Sequence, residues 1–218
     1  MDFSIPFMFQ AMVEAAGAIP RSLAIAFSAV LSGLLLGLPI ALARFYRIAV
    51  AGRIAHALIT VTKGLPTLLV YFMLFVIMSR EGNIPVEIIT LLGITVGTAT
   101  EISEAIRGGL ESIEKSQFDA AVSIGHTGPH TFFRVVLPQL VPVCVPVMSG
   151  VVIHAIKALP VAVMIGLQDI LNTAVAAAVI NYRYLESYIA AALIFWAIFI
   201  IVEKTFSVIE KKFKQVKV

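Results

Sequence analysis

Residues Ser22–Ala43, SLAIAFSAVLSGLLLGLPIALA, form an apolar stretch between Arg21 and Arg44 that carries no charged side chain. A helix needs about 20 predominantly apolar residues to cross the hydrocarbon core of a bilayer. The stretch therefore predicts a membrane-spanning helix. Its length argues against a buried helix of a water-soluble domain.

The composition of the whole chain supports this interpretation. Of its 218 residues, 60% are hydrophobic and 13% are charged, whereas a soluble domain has about 25% charged residues. So few charges cannot cover a water-facing surface, which excludes a soluble enzyme, and so apolar a chain is not disordered. We expect an all-α membrane protein with one transmembrane domain, residues 1–218. Its single cysteine, Cys144, excludes an intrachain disulfide.

Four further apolar runs predict spanning helices. They cover about Ala57–Met78, Ile84–Ile106, Val135–Ile156 and Ser187–Val202. Pro66 either kinks the second span or opens its main part. Another apolar run, residues 161–180, is interrupted by Asp169 and Asn172. We expect this run to re-enter the membrane rather than to cross it, which gives five spans and one re-entrant segment.

The distribution of Lys and Arg over the loops predicts the orientation of the chain. With five spans, the basic residues on one side are Arg44, Arg47, Arg53, Lys63, Arg107, Lys115, Arg134, Lys204, Lys211, Lys212, Lys214 and Lys217. The other side receives only Arg21, Arg80, Lys157 and Arg183. The basic side is cytoplasmic by the positive-inside rule, so the C-terminus is predicted inside and the N-terminus outside. The lysines near the C-terminus, Lys211, Lys212, Lys214 and Lys217, form a basic tail. We expect this tail to contact anionic lipid headgroups.

The connection of about residues 111–137 between the third and fourth spans predicts a helical hairpin. Ser116 and Asp119 resemble a capping box at a helix start, and Gly125 suits the left-handed position after a helix end. Thr127 can cap a second short helix with Pro129 in its first turn. This pattern fits a plain hairpin between two spans. Its small side chains also suit insertion into a groove of a cytoplasmic partner.

Three features of this connection resemble the EAA loop of binding-protein-dependent ABC importer permeases. Asp119-Ala120-Ala121 matches the Glu-Ala-Ala triplet of that loop, with Asp in place of Glu. Gly125 follows Asp119 by six residues, and Leu137 and Pro138 follow Gly125 by twelve and thirteen residues, as in the family pattern. The resemblance implies that these residues contact an ATPase subunit.

Other segments resemble the polar amino-acid subfamily of these permeases. Lys63–Val70, KGLPTLLV, is similar to the subfamily's Arg-Gly-Thr-Pro-Leu-Leu-Val motif. Glu104–Gly109 followed by Gln117 is similar to its Glu-x-x-Arg-Gly motif and downstream Gln. Residues 151–169 are similar to its Lys-x-Thr-Ser and Asp-Leu-Leu region, although Leu159-Pro160 replaces Thr-Ser. These departures bear on the substrate more than on the family.

The family resemblance implies a half-transporter of the bacterial cytoplasmic membrane. Two such permeases, identical or homologous, pair on a dimer of ATP-binding subunits and receive an amino acid from an extracytoplasmic solute-binding protein. The chain has no G-x-x-x-x-G-K-[ST] loop, so a partner chain would bind ATP and Mg²⁺. We expect no catalytic residue, no cofactor in this chain and no nucleic-acid partner.

Ionisable residues at membrane depth are candidates for the substrate path, because such residues usually face a cavity or a partner. Glu101 could meet the amino group of an amino acid, and Lys157 could meet its carboxylate or snorkel to the interface. Asp169 could line a site in the broken segment or belong to a simple surface turn. Glu104 is better explained by an ion pair with Arg107. No metal site is expected, since His126 and His130 have no Cys or carboxylate pair beside them.

Three alternatives to an amino-acid ABC permease remain open. A methionine-type ABC permease would have the same five-span plan. A secondary carrier or channel would use an ion gradient without any ATPase. A membrane scaffold would use the hairpin only to dock a soluble protein.

Overall fold

The computed structural model describes residues 3–80, 82 and 84–215; Lys217 of the predicted basic tail lies outside them. Its helices are α1 (Ile5–Ala16), α2 (Ile19–Phe45), α3 (Ala49–Gly64), α4 (Thr67–Met78), α5 (Val86–Glu111), α6 (Lys115–Ser123), α7 (Gly128–Thr131), α8 (Leu137–Ala162), α9 (Ile170–Asn181) and α10 (Tyr184–Gln215). A π-helical turn, Phe132–Val136, joins α7 to α8, and a 3₁₀ turn, Val163–Ile165, follows α8.

The predicted set of five spans is confirmed in its main features. Three long apolar helices, α2, α5 and α10, can each cross a bilayer, as can the continuous stretch Gly128–Ile165. The fifth candidate is the pair α3 and α4, whose axes meet at 109°. The chain is therefore a multi-pass membrane protein.

The α3–α4 pair differs from the single span predicted for Ala57–Met78. The first helix begins earlier, at Ala49, and the break falls at Leu65 and Pro66. Proline disfavours a helical conformation of the residue before it. Both residues are extended, with ψ of 132° at Leu65 and 134° at Pro66. Pro66 directly precedes α4. Of the two roles expected for it, it therefore opens the main part of the span.

The contact between α2 and α5 forms the centre of the bundle. Gly33 faces α5 so closely that a Cβ there would lie 2.2 Å from Thr98 Oγ1, and one on Gly37 would lie 2.8 Å from the carbonyl oxygen of Ala99. Small residues four apart let two helix backbones approach in a membrane, where hydrophobic burial gives little drive. These glycines therefore serve packing within the subunit.

The segment after α8 does not form a sixth full span. Its helix α9 has 12 residues and is about 18 Å long, against a hydrocarbon core of roughly 30 Å. Buried Ile170, Ala174 and Ala178 place one face of α9 against the bundle. The preceding helix, α8, continues to Ala162, beyond the end predicted at Ile156. Lys157 thus lies within a helix, which corrects its predicted place in a loop.

Two groups of ion pairs lie at opposite ends of the bundle. Arg21 at the start of α2 pairs with Glu87 at the start of α5. Near the other ends of the same helices, Arg44 pairs with Glu104. The loop charges predict Arg21 on one side of the membrane and Arg44 on the other. The two residues lie at opposite ends of the bundle, in agreement with that prediction. Which end faces the cytoplasm stays a prediction.

Candidate functional site

The hairpin α6–α7 begins two residues earlier than its sequence indicates. Glu114 is the N-cap of α6, and the Ser116 hydroxyl donates a hydrogen bond to Glu114 Oε2 at 3.0 Å. The predicted capping box between Ser116 and Asp119 is therefore wrong. Asp119 instead lies in the second turn of the helix, with its side chain exposed.

The end of α6 follows the predicted glycine stop. Gly125 has φ +86°, a left-handed conformation that costs a residue with a Cβ about 1–2 kcal/mol. Its N–H donates to the Val122 carbonyl at 2.9 Å, and the His126 N–H donates to the Ala121 carbonyl at 3.1 Å. These two bonds form a Schellman motif, which satisfies carbonyls that the helix end leaves free. Thr127 occupies the N-cap position of α7 but its side chain makes no capping hydrogen bond, and Pro129 lies in the first turn as predicted.

One face of α6 packs on the protein and the other is exposed. Ala121 is 3% exposed, and the Phe118 ring lies 6.2 Å from the Phe45 ring at the end of α2. The outward face carries Asp119 and Ala120, which are exposed. Within the predicted triplet, Ala121 thus anchors the helix while its two neighbours are accessible.

Three apolar side chains beside the triplet are exposed and were missed by the sequence reasoning. Val122 is 64% exposed, Ile124 74% and Phe133 65%. The available signal was the presence of large apolar residues in a connection that is too polar to span a membrane. Val122 and Ile124, together with Asp119 and Ala120, form what we call the hairpin face.

Leu137 and Pro138 form the joint between the hairpin and α8. Leu137 is the first residue of α8, and its N–H donates to the Phe132 carbonyl, closing the π turn. Pro138 occupies the first turn of α8, directly after the π turn, where it cannot donate a backbone hydrogen bond to the preceding turn. The hairpin therefore continues into a spanning helix without an intervening loop.

A central pocket of about 310 Å³ opens between α4, α5 and α8, and its lining includes Glu101, His154 and Lys157. His154 Nδ1 lies 3.2 Å from Glu101 Oε1. Gly97 also lines the pocket, and a Cβ there would meet no atom within 4 Å. Glu101 is about 15 Å along α5 from its end at Glu111, so the pocket lies at membrane depth.

The structure brings Glu101 and Lys157 to this pocket but places Asp169 elsewhere. Asp169 is 1% exposed and caps α9, where its Oδ1 accepts a hydrogen bond from the Asn172 N–H at 2.8 Å. Its backbone carbonyl accepts from the Thr173 hydroxyl at 2.8 Å. These contacts fit the turn that the sequence left open, but the turn is buried and not at the surface. His154 was missed, because its proximity to Glu101 depends on how α5 and α8 pack.

Glu104 forms a separate network beside the pocket. Its carboxylate pairs with Arg44, with Lys63 at 3.2 Å and with Arg107 at 3.5 Å. The predicted Glu104–Arg107 pair is thus confirmed, within a larger cluster. One carboxylate joins α2, α3 and α5, which assigns Glu104 a structural role.

Comparison with known proteins identifies relatives along most of the chain. Residues 33–215 match the family described as "Binding-protein-dependent transport system inner membrane component". "Probable amino-acid ABC transporter permease protein YckA" of Bacillus subtilis is 32% identical over 88% of this chain and 85% of its own length. "L-cystine transport system permease protein TcyL" of Bacillus subtilis is 31% identical over 90% of this chain and 86% of its own length.

The fold also matches a solved transporter. The crystal structure of an amino acid ABC transporter with histidines superimposes with a TM-score of 0.88 at 26% identity. The match covers 97% of this chain and 100% of that one. The likeness therefore extends over the spanning helices and the hairpin.

Proposed function

This chain belongs to the family of binding-protein-dependent transport system inner membrane components, and we propose that it is the membrane subunit of an ATP-driven amino-acid importer. The hairpin face carries the proposal. A rigid, capped helix that exposes Val122 and Ile124 outside the spanning segments has the form of a docking element for a partner protein.

The partner at the hairpin face is a separate ATP-binding subunit. It would supply the ATP and Mg²⁺ chemistry, because this chain has no phosphate-binding loop. Asp119, Ala120 and the exposed apolar residues would contact it, whereas Ala121 would hold the hairpin on the bundle. Leu137 and Pro138 would pass its motion directly to α8.

The transported solute is an amino acid that passes through the central pocket. The Glu101 carboxylate lies in the pocket and Lys157 contributes to its lining, with the Lys157 ammonium 5.6 Å from the centre of the Phe199 ring. A zwitterion needs partners of both signs. The amino group of the solute would meet Glu101, and its carboxylate would meet Lys157. The names of the relatives YckA and TcyL support this substrate class.

The assembly and its placement complete the proposal. Two permeases, identical or homologous, would sit on an ATPase dimer in the bacterial cytoplasmic membrane and accept the solute from an extracytoplasmic binding protein. The excess of basic residues at the hairpin side supports a cytoplasmic hairpin and an N-terminus outside. The lysines near the C-terminus would contact anionic lipid headgroups.

The decisive experiment is purification of the tagged chain from native membranes in mild detergent, followed by mass spectrometry of the proteins that co-purify. We expect an ATP-binding subunit in stoichiometric amount. The complex is then reconstituted in proteoliposomes and assayed for ATP-dependent uptake of labelled amino acids, with methionine among the competitors. Recovery of the chain alone, together with uptake driven by an ion gradient, would overturn the proposal in favour of a secondary carrier.

A further inference from the structure

A basic pocket lies at the same end of the bundle as Glu104 but outside the central pocket. It has a volume of about 730 Å³, and its lining includes Arg44, Arg47, Arg53, His56, Arg107 and Glu111. Four guanidinium groups and one carboxylate therefore face a common space. Such an excess of positive charge is typical of a site for an anionic ligand.

The arginines of the basic pocket differ in whether their charge is already balanced. Arg44 and Arg107 pair with Glu104, and Arg107 also pairs with Glu111 at 2.6 Å. Arg47 and Arg53 form no ion pair with any residue that the structure describes. Arg53 uses its Nε–H for the Ala49 carbonyl at 2.7 Å, which leaves other donors of its guanidinium available. The unbalanced charge thus lies on Arg47 and Arg53.

The backbone holds this pocket in a fixed shape. Arg47 has φ +51°, and the corner behind it is closed by the Ile48 N–H, which donates to the Ala43 carbonyl at 3.0 Å. A Cβ on Gly52 would lie 2.9 Å from the same carbonyl oxygen, so α3 starts in close contact with the end of α2. The two unpaired arginines therefore project from a tight, preformed corner.

An exposed apolar stripe runs along α3 next to the basic pocket. It consists of Val50, Ile54, Leu58 and Val61, which are 56–63% exposed. Their spacing of three and four residues places them on one face of the helix. A free phosphate ion would use the basic pocket but leave the stripe uncovered, whereas a phospholipid would use both.

We propose that the corner between α2 and α3 binds an anionic phospholipid. The phosphate of the lipid lies between Arg47 and Arg53, and its acyl chains follow the stripe on α3. Basic pockets between spanning helices are suited to anionic headgroups. Such a lipid would connect the α2–α3 corner to Arg107 at the end of α5, close to the start of the hairpin. This inference does not depend on which solute the chain transports.

The test uses native mass spectrometry of the full-length chain in its purified complex. Delipidated complex is titrated with phosphatidylglycerol or phosphatidylcholine, and bound lipids are counted. We expect phosphatidylglycerol to be retained selectively, and the double variant Arg47→Gln/Arg53→Gln to weaken that retention roughly 25-fold, about fivefold per arginine. The control, Arg80→Gln, removes an exposed arginine from the opposite end of the bundle and should leave retention within about twofold.

Two further measurements separate a lipid from other occupants. Inorganic phosphate and glycerol phosphate are added as competitors, and Ile54→Ala/Leu58→Ala shortens the stripe without changing charge. Weak competition and weaker lipid retention in the stripe variant would support the lipid. Equal competition by free phosphate, with no effect of the stripe variant, would overturn the proposal in favour of a soluble anion. Efficient disulfide cross-linking of Ile54→Cys between two copies would overturn it in favour of a subunit interface.

Discussion

Glu101 on α5 and His154 on α8 meet across the central pocket, with 3.2 Å between Oε1 and Nδ1. Both side chains remain partly exposed, at 41% for Glu101 and 65% for His154. The carboxylate is therefore held by one neighbour but is still accessible to a solute. Lys157 lies one helical turn beyond His154 and lines the same pocket.

Replacement of Glu101 by Gln should weaken transport through the substrate affinity. Loss of a charge-assisted hydrogen bond to the amino group should raise the KM for uptake about tenfold or more, with a smaller effect on the maximal rate. Uptake kinetics in proteoliposomes measure both quantities. Glu14→Gln, which removes an exposed carboxylate on α1, serves as the control. Unchanged kinetics of Glu101→Gln would assign this residue to packing.

Replacement of Gly125 by Arg should uncouple the chain from its ATPase without preventing membrane insertion. The left-handed backbone at Gly125 (φ +86°) disfavours any residue with a Cβ, so the Schellman motif at the end of α6 should open. ATP-dependent uptake should fall roughly 5- to 30-fold, since the backbone strain at this position amounts to about 1–2 kcal/mol. Gly128→Ala is the control. A Cβ on Gly128 would also meet no atom within 4 Å, but Gly128 lies in helix α7 and has no left-handed backbone to disturb. Normal uptake by Gly125→Arg would count against the coupling role.

Two substitutions on α6 should act through different mechanisms. Ala121→Glu places a charge at a position that is 3% exposed, so it should displace the hairpin and lower the Tm of the purified chain. Val122→Glu lies on the exposed side and should weaken ATPase association while leaving the Tm within about 2 °C. Thermal unfolding and co-purification of the ATPase are measured for both variants. A lower Tm for Val122→Glu but not for Ala121→Glu would contradict the assigned faces of α6.

Removal of the Glu104 carboxylate should destabilise the fold. Glu104→Gln leaves Arg44, Lys63 and Arg107 without their shared counter-ion, which should cost about 2–3 kcal/mol for a partly buried cluster. Adding Lys63→Met should restore part of the loss, because it removes one of the unbalanced cations. Glu111→Gln, which breaks a pair whose carboxylate is 54% exposed, should cost less than about 1 kcal/mol. Equal Tm values for Glu104→Gln and Glu111→Gln would show that the cluster does not stabilise the bundle.

Local patterns predicted the spans and the end of the hairpin helix. Charge-free length identifies a spanning helix such as α2 because the bilayer imposes its thickness on the sequence. Gly125 was predictable because the left-handed position after a helix strongly favours glycine. Both features depend on a few neighbouring residues.

Features that depend on contacts between helices were not predictable. Pro66 indicated a break, but the angle of 109° depends on how α3 and α4 pack against α5. The burial of Ala121 depends on how α6 packs near the π turn before α8, and Phe118 on the same helix packs on the distant Phe45. Helix α1 went unnoticed because its 12 residues are too few for a span, and its packing on α9 and α10 has no local pattern.

The continuous connection from the hairpin through Leu137 into α8 makes that helix a lever. From Leu137 to His154 the helix extends about 26 Å, so a tilt of about 10° at the hairpin would carry the His154 end by about 4–5 Å. Pro142 and Pro146 lie on this arm, and each removes a hydrogen bond that would stiffen it. The fraction of a hairpin displacement that is transmitted to the pocket therefore depends on the bending stiffness of α8 around these two prolines.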